Sequence, residues 1–270
     1  MPAPPTTSAR CSGRSGERTA LTRLTAALAL LGTAVAGAAS AQSPVDAARA
    51  LLVDYHEDLK RLDHARDLLE TAAERGPTAE ILTALARTWF LLGEFQARND
   101  RERLAAYERG REAGRRAIAT APRSEQAHIW YALNAARWAG TRGIMRAVSV
   151  LPTLREEAAT ILSLNPASVE GHTLAGGLAA ELPAMLGGDR SRAEDHFRRA
   201  LETDPRRTGT RVELARLYIA TRRYADAERE LERVVREPAP SDVPYWTLSD
   251  RPRARALLAA LPPLRIPESP

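Results

Sequence analysis

Trp130, Asn134 and Trp138 stand at i, i+4 and i+8, so a helix would carry two indoles on one face with an amide between them. Tyr131 lies beside that face and is seven residues from Trp138, within stacking reach on a helix. An aromatic-lined cavity with one polar anchor suits an apolar or amphipathic ligand, and these four residues would line it. Ordinary core packing between paired helices produces the same stripe, so both readings stand at this point. Asn134 is the residue that needs a reason. It is a poor helix former in mid-helix, and a buried amide needs partners.

Other residue types with chemical potential are less well placed. The histidines are His56, His64, His128, His172 and His196. No two of them stand at i, i+3 or i+4, and no His-Glu-x-x-His motif occurs, so no metal site is expected. Tyr55-His56-Glu57-Asp58 holds ligand-type side chains but reads better as a solvated helix face. Serines lack a Gly-x-Ser-x-Gly context. Acidic residues sit beside arginines, which hold carboxyls low and unsuited to general-acid work. Gly187-Gly188-Asp189 lacks the length and the Lys-Ser/Thr of a phosphate loop. It reads instead as a tight turn in which Asp189 caps the next helix. Gly176-Gly177 reads as a close helix contact. No catalytic residue and no cofactor are expected, and the chain does not read as an enzyme.

The elements that must position these residues repeat along the chain. Ala193, Phe197, Ala200 and Pro205 are spaced 4, 3 and 5. The first three share one helical face, small residues there admit a partner helix closely, and the proline stops the helix. The spacing recurs at Ala65, Leu69, Ala72 and Pro77, at Gly110, Gly114, Ala117 and Pro122, and at Leu154, Ala158, Ile161 and Pro166. A last unit holds Ala227, Leu231 and Val234, with Pro238 and Pro240 flanking its stop, and Leu214, Ala215 and Tyr218 on its first helix. These are positions that a tetratricopeptide repeat (TPR) uses. The expected fold is all-α, a TPR-like solenoid or bundle of about five helix pairs over residues 42–237. The prolines at 77, 122, 166 and 205 lie 45, 44 and 39 residues apart, wider than the roughly 34 of a plain TPR, so the middle pairs should be lengthened. A Pro-rich tail, 238–270, should carry one short helix over 253–261 and end in disordered residues.

The charge balance of the whole chain is misleading. It is +5, with 39 basic and 34 acidic residues. Arg10, Arg14, Arg18, Arg23 and Glu17 lie in residues 1–41, which leaves 35 basic against 33 acidic, a net +2. The remaining charges alternate, as in Glu-Arg-Glu-Leu-Glu-Arg at 228–233. No basic stripe forms, and no nucleic-acid partner is expected. Residues 1–41 read as a signal peptide: four arginines, an apolar stretch from Leu24 to Val35, then Ala39-Ser40-Ala41 for cleavage after Ala41. Cys11, the only cysteine, precedes the apolar stretch, so it is no lipidation site and is lost on cleavage. No apolar run after residue 41 is long enough to span a membrane.

Two stretches resemble the TatT-component family of TRAP transporters, TPR-type periplasmic proteins. The first is His128-Ile129-Trp130-Tyr131-Ala132-Leu133-Asn134-Ala135-Ala136-Arg137-Trp138-Ala139, similar to that family's Trp-Tyr-Ala-x-Asn helix with a second Trp following. The second runs from Leu182-Pro183 through Gly187-Gly188-Asp189, Ala193 and His196-Phe197 to Asp204-Pro205. The resemblance covers residues 50–237. It implies a periplasmic helper that docks with the solute-binding protein of a tripartite transporter, is built with a hydrophobic pore and is able to self-associate. Many members look like lipoproteins. This chain has no cysteine where one would be lipidated, which implies a free periplasmic form.

Overall fold

The computed structural model describes residues 43–265, without the side chains of 144, 145, 147 and 262–265. The expected signal peptide and the last tail residues lie outside the described residues. Among the described residues, ten helices form five consecutive pairs. They are α1 (Pro44–Leu51) with α2 (Lys60–Arg75), α3 (Ala79–Phe95) with α4 (Asp100–Thr120), and α5 (Glu125–Thr141) with α6 (Ile144–Leu164). The last two are α7 (Val169–Glu181) with α8 (Arg190–Thr203), and α9 (Thr208–Ala220) with α10 (Tyr224–Arg236). A 3-10 turn (Ala184–Leu186) precedes α8. The tail adds α11 (Val243–Tyr245), a π turn (Trp246–Asp250) and α12 (Arg251–Arg265). Among the described residues there is no strand.

The repeated spacing falls on the second helix of each pair, and every apolar position in it is buried. Ala65, Leu69 and Ala72 lie under α1 and α3; Ala193, Phe197 and Ala200 do the same between α7 and α9. The five prolines act as the spacing predicts. Each second helix ends two residues before its proline, and the intervening residue is held out of the helical region. Gly76, Ala121, Asn165 and Asp204 all have ψ between 80° and 98°. In three of the four cases the next helix then starts on a side-chain cap. Thr78, Ser124 and Ser168 accept from the N–H of Ile81, Ala127 and Gly171 at 3.2, 3.3 and 3.1 Å.

The middle pairs are the long ones. α4 and α6 have 21 residues each, against 14 in α8 and 13 in α10. First helices touch one another, α1 with α3 and α3 with α5 in the first three pairs and α7 with α9 in the last two, and form a wall in each group. The tail helix expected over 253–261 runs further, from Arg251 to Arg265, and packs on α9 and α10 through Ala254 and Leu261. It covers the apolar face that the last pair would otherwise leave open, as a terminal cap must in a repeat stack.

Candidate functional site

The aromatic helix is α5, and its polar residue is fully buried. The Asn134 amide donates through Nδ2 to the Ala86 carbonyl of α3 at 3.0 Å and to the Trp130 carbonyl at 2.7 Å. Its Oδ1 is buried without a partner. Gly110 of α4 lies directly against this amide, where any Cβ would overlap Oδ1. Gly114 accepts the backbone of the same helix, with room for a Cβ only 2.8 Å from the Tyr131 Cα. The glycines in the second unit's spacing thus have a cause: α5 brings an amide and a main chain to positions where other pairs bring side chains.

Of the flanking indoles, Trp138 is buried and Trp130 is half-buried. Trp130 packs on Phe90 with ring centroids 5.7 Å apart, and the Arg87 guanidinium lies 5.7 Å from its ring. Trp138 donates Nε1–H to Glu108 at 2.5 Å, with Arg111 and Arg142 at 4.1 and 4.6 Å from its ring. The expected stacking of Tyr131 on Trp138 does not form. Burial raises the Tyr131 phenol pKa, and Glu157 of α6 adds to it, which places this side chain among α4 and α6 groups. A helix turns by 100° per residue, so seven residues bring two side chains near each other only if neither has a better neighbour. At Gly187 the backbone is left-handed (φ 81°), and at Gly188 a Cβ would overlap the Leu182 carbonyl. Asp189 then accepts from the N–H of Ser191 and Arg192 at 2.9 and 3.1 Å, capping α8.

A second set of residues converges on the same wall without having been singled out by its spacing. Glu94 at the end of α3 accepts from the Tyr107 hydroxyl at 2.5 Å, from Tyr245 at 3.0 Å and from Arg137 at 2.9 Å. One carboxylate therefore joins α3, α4, α5 and the C-terminal segment. Burial raises the pKa of both phenols, and the neighbouring Glu94 charge raises it further, so they remain donors. Four elements far apart in sequence meet here, and no local pattern announces that.

A third arrangement repeats. In the third pair the Pro122 carbonyl accepts from His128 Nε2 at 2.9 Å, and His128 Nδ1 meets Glu157 at 2.6 Å. In the fourth, the Pro166 carbonyl accepts from His172 Nε2 at 3.0 Å, and His172 Nδ1 meets His196 Nδ1 at 2.9 Å. In the fifth, the Pro205 carbonyl accepts from Arg211, which pairs with Glu230 at 2.5 Å. The register is constant: six residues after the proline, and one residue before the central position of the second helix. A repeat alignment of the sequence would have revealed it. Where the third and fifth pairs set His128 or Arg211 against a carboxylate, the fourth pair holds two imidazoles. With Nε2–H of His172 on the carbonyl, its Nδ1 is the atom that faces His196. Burial lowers the His196 pKa, and His172, Arg192 and Arg199 lower it further against Asp195. A depressed histidine pKa contributes stability that is complete above the unfolded value of about 6.5 and is lost as pH falls below it. We expect His196→Asn to flatten that acid limb. Urea midpoints for both proteins across the histidine range would check this; parallel curves would refute it. Among the described residues no cluster of three or more His, Cys, Asp or Glu is placed to hold a metal.

Two surface clefts stand apart from the aromatic helix. One, of about 420 Å³, lies over α8, α9 and α10 and is lined by Arg198, Arg211, Tyr218, Arg223, Arg229 and Arg233 among others. The other, of about 340 Å³, lies beside Leu68, Arg75 and Ile81. Neither includes Trp130, Tyr131, Asn134 or Trp138. Residues 184–261, the last helix pair and its surroundings, match the family model for the tetratricopeptide repeat. A solved thermophilic TPR protein of Thermus thermophilus superposes with a TM-score of 0.58 at 23% identity, covering 80% of this chain and 98% of that one. The fold is TPR-like. PilF of Pseudomonas aeruginosa is also similar, with a TM-score of 0.46 at 17% identity over 84% of this chain and 93% of that one. No curated protein matches the sequence. Among the described residues, no helix is long and apolar enough to cross a membrane.

Proposed function

We propose that the protein is an exported TPR-like scaffold, working in the periplasm by non-covalent contacts with another envelope protein. The observation that carries this reading is the packing of α5 against α3 and α4. Trp130, Asn134 and Trp138 are held by Phe90, Ala86 and Glu108 of the neighbouring helices, so they serve the helix stack. The charged outer faces of the pairs remain for a partner. Export rests on the 1–41 segment, whose cleavage would leave Gln42 at the N-terminus. The test is photo-crosslinking in the periplasm from Met185, which is exposed on the turn before α8, followed by titration of the purified crosslinked partner. Saturable binding and an N-terminus at Gln42 are expected; a cytoplasmic chain beginning at Met1, or no saturable binding, would overturn the reading.

A second reading is favoured by the Trp-Tyr-Ala-Leu-Asn sequence itself. It is that of a T component of a TRAP transporter, docking a solute-binding protein and holding a small apolar or amphipathic ligand against Trp130, Tyr131, Asn134 and Trp138. Self-association belongs to this reading too.

A further inference from the structure

The C-terminal segment closes the repeat stack on itself. Tyr245 reaches Glu94, 151 positions earlier in the chain, and its ring meets Phe95 edge-on with centroids 5.3 Å apart. Phe95 in turn packs on Tyr55 at 5.7 Å. Tyr245 and Leu248 pack against the core of the first three pairs, whereas Trp246 and α12 pack against that of the last two. Residues 242–250 thus bridge the core of the first three pairs and that of the last two.

This seam is poorly satisfied. The Tyr55 hydroxyl, Arg87 Nε and Asp250 Oδ1 are all buried without a hydrogen-bond partner. Tyr55 and Asp250 are 0% and 3% exposed. Asp242, Asp250, Tyr245 and Arg87 all act electrostatically on the Tyr55 phenol, which puts the three orphans in one neighbourhood. A buried polar group left unpaired favours the state in which it is solvated. The segment also contains the π turn Trp246–Asp250, a backbone form common at functional positions. The wall beneath it offers Arg87 and Arg137 beside aromatic rings, and the segment brings carboxylates and a tyrosine. Arg87 of the wall and Asp242 and Asp250 of the segment, opposite in sign, share the surroundings of the Tyr55 phenol.

The geometry points to a releasable clasp: residues 242–250 occupy a docking groove on the inner wall of the first three pairs, and a partner's short helix bearing a tyrosine between carboxylates takes their place. This rests on the scaffold reading and names its docking surface. Asp250 makes the clasp sensitive to pH. It accepts from Thr208 of α9 at 2.8 Å, with Arg207 at the start of α9, Arg253 of α12, Asp242 before α11 and the Tyr55 phenol around it. Burial pushes its pKa up to about 6, against the Thr208 hydrogen bond and the two arginines. A carboxyl raised in the closed state favours closure as pH falls through that value and opening above it.

The test uses the full chain with Cys11→Ser and spin labels at Val53→Cys and Val243→Cys, both exposed positions flanking the seam. A single short label distance is expected at about pH 5, and an added longer population at about pH 8. Asp250→Asn should abolish the longer population, and Tyr245→Ala should enlarge it at both pH values. A synthetic peptide of residues 241–250 should bind the Tyr245→Ala chain saturably, and the same peptide with alanine for its tyrosine should not. A distance distribution indifferent to pH and to Asp250→Asn overturns the clasp, even if Tyr245→Ala fails to fold. Opening without peptide binding overturns the docking groove, and a concentration-dependent dimer of the opened chain reassigns it to a second copy. None of these results depends on whether a periplasmic partner is captured, so the clasp and the scaffold reading fail separately.

Discussion

Gly110→Ala is expected to destabilise the protein by about 2 kcal/mol, because its Cβ would overlap the amide of Asn134. The position is mid-helix in α4, where alanine would otherwise gain about 0.5–1 kcal/mol over glycine. The sign is therefore set by the neighbour and not by helix propensity. Asn134 cannot move aside cheaply: its Nδ2 is tied to the Ala86 and Trp130 carbonyls. Removing the amide should reverse the effect. Asn134→Ala alone loses these bonds and is expected to cost about 1–2 kcal/mol, since it also removes the unpaired Oδ1. Adding Gly110→Ala to it should then be neutral or stabilising by about 0.5–1 kcal/mol. The double-mutant cycle, measured by urea unfolding, should show a coupling of about 2–3 kcal/mol. Additive effects would mean that the two residues do not touch.

Glu94→Ala carries the largest expected loss, about 3–5 kcal/mol. It removes the acceptor of two phenols and one guanidinium at once and leaves the Tyr107 hydroxyl buried and unpaired. Tyr107→Phe and Tyr245→Phe remove one donor each and should cost about 1–2 kcal/mol. Glu94→Gln keeps one acceptor oxygen and should fall between these and the alanine variant. The ordering separates a hub from a set of independent contacts. Thermal unfolding reads it, and a Glu94→Ala protein as stable as Tyr245→Phe would show that no hub exists.

The helix pairs were legible because their causes are local. A proline stops each second helix, a hydroxyl starts α3, α5 and α7, and residues at i, i+4 and i+7 mark the buried face; Phe197 and Pro205 follow the first and last of these rules. The degenerate unit at Gly110 and Gly114 was legible as a repeat but not as a contact, since its glycines answer to a helix that follows in sequence. The tail helix was underestimated because its length is set by the apolar face of α9 and α10 that it covers. Glu94 was invisible for a different reason. Its three donors lie 13, 43 and 151 positions away, and no periodicity spans such distances. The turn-carbonyl ladder lies between these cases. Pro122 to His128, Pro166 to His172 and Pro205 to Arg211 are short spacings, but the third side chain differs in type and the partner on the second helix changes from pair to pair.

If α5 serves an interaction scaffold, its aromatic residues hold no ligand. That is tested most directly by titrating the purified protein with a long-chain fatty acid while following tryptophan emission, alongside native mass spectrometry of the periplasmic protein. Unchanged emission and a mass equal to that of the polypeptide alone are expected. A stoichiometric bound molecule, with an emission change that disappears in Trp130→Phe, would contradict the scaffold reading and make the aromatic helix a ligand site.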